Sequence, residues 1–239
     1  MKTSSFDLNF HVYRLLEGEP FLAHISRSVD KIPSTSIPTA GVRLNPNTTY
    51  FEMLYNPEFF AGLSDKERTA VLCHEYMHLI LRHVTTRLPP EGMTKQWNIA
   101  TDLAINSNLQ NLPAGALIPG EQDSPFQHVQ PGFSSEWYFH YLKQHPTLMD
   151  CAEDGQGKDC VGDHSGWGNV SGQVQEIAEE RLKQATRQAV DIASRDRIRG
   201  WGSVSSSMQQ EIMANISSNL DWRKVLRYFV KTSQRANKT

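Results

Sequence analysis

The stretch VLCHEYMHLILRH, Val71 to His83, sets three histidines and a glutamate inside an otherwise apolar run. At about 100° of helix per residue, His74 and His78 stand about 40° apart, so their imidazoles leave one face a turn apart and can chelate one metal ion. Glu75 is turned about 100° from His74, which puts it beside such an ion, where a carboxylate can take a proton from a coordinated water. HExxH is that arrangement written as sequence, and ligation would compensate the burial of groups that otherwise resist it. The last histidine, His83, lies about 180° around the helix from His74 and is rejected as a ligand of the same ion.

Two histidines leave a ligand to be found. The segment WNIATDLAIN repeats a polar group every fourth residue, Asn98, Asp102 and Asn106, on a helix otherwise filled with Ile99, Leu103 and Ile105. Asp102 is expected as the third ligand, since two histidines and a carboxylate with an open fourth position form a catalytic zinc pattern. Asn98 and Asn106 are expected to orient the ligands from behind. The same stripe suits Asp102 as a buried acid hydrogen-bonded by the two asparagines, and Glu136, paired with His140 at i, i+4, is the rival ligand. His164 sits in a Gly-rich loop ahead of Trp167. It is either a hydrogen-bond donor to the oxyanion formed on a peptide carbonyl, a fourth ligand, or a surface histidine in a loop that Trp167 anchors.

Elements must position these groups. Ser64 and Glu67 match the capping box S-x-x-E, predicting a long helix from Ser64 to about Arg87, where Pro89-Pro90 stops it. A second helix is expected from about Thr94 to Leu109, and an aromatic one from Ser134. Equal rises from the turn to His78 and to Asp102 would set them side by side in an antiparallel pair. Upstream, the apolar spacing from Phe6 to Val29 predicts two short helices broken near Gly18 and Pro20. The Pro- and Ser-rich segment from Asp30 to Gly41 reads as loop, followed by a hairpin of AGVRLN and TYFEMLYN, the latter expected to take up substrate as an edge strand. Helices are expected near 173–197, 205–217 and 221–232; the last carries an apolar stripe, Trp222, Val225, Leu226 and Phe229, that either docks on the core or packs against a second domain, forming a homodimer or an exposed patch without it. The fold class is therefore α+β and predominantly helical, in one domain: a metal-binding core over 1–110, a loop-rich insertion over 111–172 and C-terminal helices over 173–239.

Lys plus Arg number 24 against 26 Asp plus Glu, which leaves no electrostatic case for nucleic acid or an anionic membrane as the main partner. His11, Arg14 and Glu17 interrupt the first apolar stretch, so neither a signal peptide nor a membrane span is read there, and a cytoplasmic location is expected. Three cysteines fit a reducing compartment, with Cys73 packing in the core and Cys151 and Cys160 as free thiols.

Five segments in order, PFLAHISRSVDKIPSTSIPTAGV, YNPEFFAGLSDKERTAVLCHEYMHLILRH, WNIATDLAIN, DHSGW and LDWRKVLRYFV, resemble bacterial and phage metallopeptidases built as an HExxH domain followed by a von Willebrand factor A-like domain. The resemblance implies a zincin-like fold, a Zn2+ cofactor, a peptide or protein substrate and an association with MoxR-type AAA ATPases. In that family the chain continues past the segment matching LDWRKVLRYFV into the second domain, whereas this sequence ends at Thr239. The expected activity is hydrolysis of a peptide bond with Glu75 as general base; the competing class is a non-catalytic, metal-stabilised module that binds a partner.

Overall fold

The structure, a computed structural model, describes residues 6–122, 124–149, 167, 170, 172–196 and 198–217. The expectations placed on His164, Cys151, Cys160 and the helix 221–232 lie outside the described residues.

Each helix start follows from local chemistry. Asp7 accepts from the Asn9 amide at the head of α1 (Leu8–Gly18), and Pro20 opens α2 (Pro20–Ser26), where its missing N–H costs nothing. Asn56 caps α3 (Pro57–Gly62) in the same way. The capping box at the head of α4 (Asp65–Ile80) is complete: Glu67 N donates to Ser64 Oγ at 3.4 Å and Ser64 N donates to Glu67 Oε2 at 2.8 Å. Thr94 caps α5 (Lys95–Asn106) and Ser134 caps α6 (Ser135–Gln144). Two more helices follow, α7 (Gly172–Arg195) and α8 (Ser206–Ser217). Among the described residues about half of the fold is helical, against one three-stranded sheet.

That sheet has the order β1 (Val29–Pro33), β3 (Phe51–Tyr55), β2 (Ala40–Leu44), with β1 parallel and β2 antiparallel to β3. The expected hairpin is β2 and β3. Two features differ from the sequence reading. The Pro-rich segment taken as loop begins with a strand, β1, whose Pro33 is tolerated because it ends an edge strand. In addition, β3 is the central strand, so TYFEMLYN offers no open edge; the edge on the side of β2 is the one next to α4. In the β2–β3 pair the Asn45 amide bonds Tyr50 O and the Asn56 amide bonds Thr39 O. Odd-numbered residues of β2 therefore face β3, and the amide and carbonyl of Val42 point outward.

The helix α4 stops at Ile80, not near Arg87. Its end is a Schellman turn: Arg82 N donates to Leu79 O at 2.9 Å, His83 N donates to His78 O at 2.9 Å, and Arg82 takes a φ of 62°. Glycine usually fills that left-handed position, so an arginine there hid the stop. The equal-rise argument for pairing His78 with Asp102 fails with it. His78 lies two residues from the end of α4 and Asp102 seven from the start of α5, and the connection 81–94 makes up the difference.

The main core gathers α1, α2, the sheet, α4 and α7 around Phe21, Ile25, Val42, Met53, Leu72 and Tyr76. A second cluster joins α5 and α6 through Ile99, Leu103, Tyr138 and Leu142, and Leu117, Phe126 and Val129 of the 111–133 segment are buried in it. This part of the expected loop-rich insertion is thus a packed wall behind α5. No helix among the described residues is long and apolar enough to cross a membrane.

Candidate metal centre

All residues from Ala70 to Ile80 on α4 are buried, as are those from Trp97 to Asn106 on α5. Where the two helices meet, His74 Nε2 and His78 Nε2 are 2.9 Å apart, and Asp102 Oδ1 is 3.5 Å from the first and 3.2 Å from the second. Three ligand-type atoms from two elements thus converge on one point, the group among the described residues that could hold a metal ion. The donor set fits one: a tetrahedral ion with bonds of about 2.1 Å keeps its ligands roughly 3.4 Å apart.

The electrostatics agree with that fit. Burial and the neighbouring His74 hold His78 well below the usual histidine range, so it is neutral and its ring can offer a lone pair. Burial also opposes a charge on His74, yet the hydrogen bond and charge of Asp102, with Glu75 and Asn106 adding, carry its imidazole up to about 9. A proton is thereby stabilised beside Asp102, where a cation would compete for the same lone pair.

Glu75 is 2% exposed, and burial drives its carboxyl up to about 7, against the pull of His74 and the Val42 amide and with Asp102 adding. One oxygen is held by the outward-facing Val42 N–H of β2; Oε2 is buried with no hydrogen-bond partner. Glu75 borders a small, mostly apolar pocket of about 30 Å³ lined by Ala40, Phe59, Val71, His74, Leu112 and Pro113. That volume admits a water or two.

Behind the three donors lie further groups, not all of them anticipated. Asn106 Oδ1 meets His74 Nδ1 at 2.8 Å, and Asn106 Nδ2 donates to Leu117 O at 2.9 Å. Asn98 is buried near them, but its Oδ1 has no partner and so orients neither histidine. His83, rejected as a ligand, comes back to His78 from the turn: their Nδ1 atoms are 3.2 Å apart, and His83 Nε2 is 2.9 Å from Ser135 Oγ. Trp167 is buried with its ring centroid 5.1 Å from that of His78, and its Nε1 donates to Val42 O at 2.7 Å. Glu136, the rival ligand, forms an ion pair with Arg87 at 2.7 Å, and His140 is exposed on α6 beside Gln144.

The contacts of His83 and Ser135 were invisible because they require the left-handed turn at Arg82. Val42 acts through its backbone, so residue type carries no signal. Trp167 stood out in the sequence as a large aromatic in a Gly-rich segment.

Among comparisons with known proteins, the chain is 26% identical over 237 residues to an uncharacterized protein of Thermotoga maritima, covering 92% of this chain and 57% of the relative. The chain thus spans little more than half the length of that relative. No solved structure matches it. A family model described as "Putative metallopeptidase domain" matches residues 11–239, and with that extent of match the chain belongs to this family.

Proposed function

We propose that the chain is a zinc-dependent peptidase of zincin-like design. The observation that carries the reading is the convergence of His74 Nε2, His78 Nε2 and Asp102 Oδ1, with the buried carboxyl of Glu75 near enough to feel the charges of His74 and Asp102. His74, His78 and Asp102 would hold the ion. When bound, zinc supplies Lewis acidity, lowering the pKa of a coordinated water and polarising the scissile carbonyl.

Glu75 is the general base. In the metal-free protein burial pushes its carboxyl up to about 7, and although a bound cation would draw that value down, the buried carboxylate would take a proton from the attacking water and pass it to the leaving amine. The Val42 amide fixes one carboxylate oxygen and leaves Oε2 for that exchange. Substrate reaches the site through the pocket that Ala40 lines with His74 and Glu75, and not by pairing along Val42, whose outward amide and carbonyl are taken by Glu75 and Trp167. Association with a MoxR-type ATPase rests on the sequence resemblance, and the length of the Thermotoga maritima relative leaves room for a further domain.

Glu75→Gln tests the assignment. It should keep about one equivalent of zinc and lose roughly 10²- to 10⁴-fold in peptide hydrolysis, the usual range for a general base, whereas His78→Ala should lose metal and activity together. Equal metal loss in both variants would make Glu75 a ligand, and hydrolysis undiminished in Glu75→Gln would remove it from the chemistry.

A further inference from the structure

The turn that ends α4 returns a third histidine to the metal centre. Had the helix continued, His83 would stand about 140° around the axis from His78. Instead, Arg82 in the left-handed region brings His83 back, and the backbone N–H of His83 closes on His78 O at 2.9 Å. In a Schellman turn the residues in these two positions usually make a hydrophobic contact. Here the contact is between imidazoles, Nδ1 to Nδ1 at 3.2 Å, with both rings fully buried. Trp97 meets the His83 ring edge-on, centroids 6.0 Å apart, and Ser135 at the first turn of α6 closes the far side.

We propose that His83 is a positioning residue for His78, selecting the tautomer that leaves His78 Nε2 bare. The constraint is one of donors and acceptors. A neutral imidazole carries one N–H and one lone pair. If two Nδ1 atoms share a hydrogen bond, one must donate and the other accept. The Ser135 hydroxyl can donate or accept; with His83 Nε2–H assigned as the donor to Ser135 Oγ, His83 Nδ1 is the acceptor and His78 Nδ1–H the donor. The only lone pair left on His78 then points at His74 Nε2 and Asp102 Oδ1. The second ligand is set by the same logic, since Asn106 Nδ2 donates to Leu117 O and must present Oδ1 to His74 Nδ1–H. Both relays therefore run outward from the site, and each ends on a group fixed by another element.

This inference rests on the metal reading for one readout and is independent of it for the other. Zinc affinity, measured by competition with a chromophoric chelator, should weaken about 10- to 100-fold in His83→Phe, the usual cost of losing a partner behind a ligand. Phenylalanine keeps the apolar contact with Trp97 but offers no acceptor. His83→Asn places an amide oxygen the same number of bonds from Cα as Nδ1 and should restore affinity to within about threefold. Equal weakening in the two variants, or none in His83→Phe, would overturn the proposal. The second readout needs neither metal nor activity: long-range proton–nitrogen correlation spectra of the metal-free protein should show His78 protonated on Nδ1 and bare on Nε2. A His78 protonated on Nε2 would refute the role of His83 even where zinc binds. Failure to bind zinc with the expected tautomer in place would count against the metal reading alone.

Discussion

His74 and His78 each hand their Nδ1 to a neighbour, Asn106 and His83, so both Nε2 atoms face one point with Asp102. Orientation from behind is what makes an aspartate and two histidines a chelating site in place of three separate buried polar groups, each costly without partners. Asn106→Ala tests the His74 side. Zinc affinity should fall about 10- to 100-fold, and because Leu117 O loses the Asn106 amide, the metal-free protein should lose about 1 to 3 kcal/mol. Calorimetric zinc titration and urea unfolding read the two effects separately; unchanged affinity would show that Asn106 serves packing alone. Trp167→Phe probes the proposed base, Glu75. The variant keeps an aromatic ring against His78 but loses the hydrogen bond to Val42 O, the residue whose amide holds Glu75. Metal content should stay at one equivalent while kcat falls, and a rise in KM alone would place Trp167 in substrate binding.

Two helix ends decide whether the site forms. At the start of α4, Ser64→Ala removes half of the capping box and should cost about 1 kcal/mol by thermal or urea unfolding, without changing metal stoichiometry. At its end, Arg82→Gly should be tolerated because glycine takes a positive φ freely, whereas a β-branched Arg82→Val should cost about 1 to 2 kcal/mol and weaken zinc binding as His83 is displaced. If valine were as stable as glycine at this position, the turn would not depend on the left-handed conformation. Legibility from sequence divides along the same line. The grouping of His74, His78 and Asp102 was readable because helical periodicity converts spacing into direction, and the starts of α4, α5 and α6 were readable from Ser64, Thr94 and Ser134. What periodicity cannot encode was missed. The stop at Ile80 hangs on one arginine in a glycine conformation, the strand β1 gains its pairing from β3, which starts at Phe51 against Val29, only once the chain has folded, and the central place of β3 follows from that parallel neighbour. Asn98 shows the opposite error: it shares the polar stripe, yet its side-chain oxygen meets no ligand.

Across the molecule, the sheet, α2 and α4 are tied at one polar junction on Ser26, part-buried at Lys31 and buried at Tyr76, which lies between His74 and His78 on α4. Lys31 of β1 donates to Ser26 O at the end of α2, and the Tyr76 hydroxyl of α4 donates to Ser26 Oγ at 3.0 Å. An ammonium near a helix C-terminus is favoured by the helix dipole, but burial dominates and lowers Lys31 to about 8, with Asp30 opposing. Because the folded value lies below the unfolded one, near 10.5, the unfolded chain binds the extra proton between about pH 8 and 10.5. Stability therefore rises with pH across that window, and below it the protein carries the full cost of burying the charge. In the metal-free protein His74 acts in the opposite sense: its folded value, raised from 6.5 to about 9, contributes stability that is present below 6.5 and lost as pH rises through 9. The raw pH profile thus mixes opposing slopes, and the informative quantity is the difference between the wild-type protein and Lys31→Met, in which His74 cancels. Urea unfolding at intervals from pH 7 to 10.5 should show the wild type gaining on the variant as pH rises through 8. A difference that stays flat would mean that the Lys31 ammonium is solvated well enough to keep its ordinary pKa, and that the junction holds the sheet to α2 without an electrostatic cost.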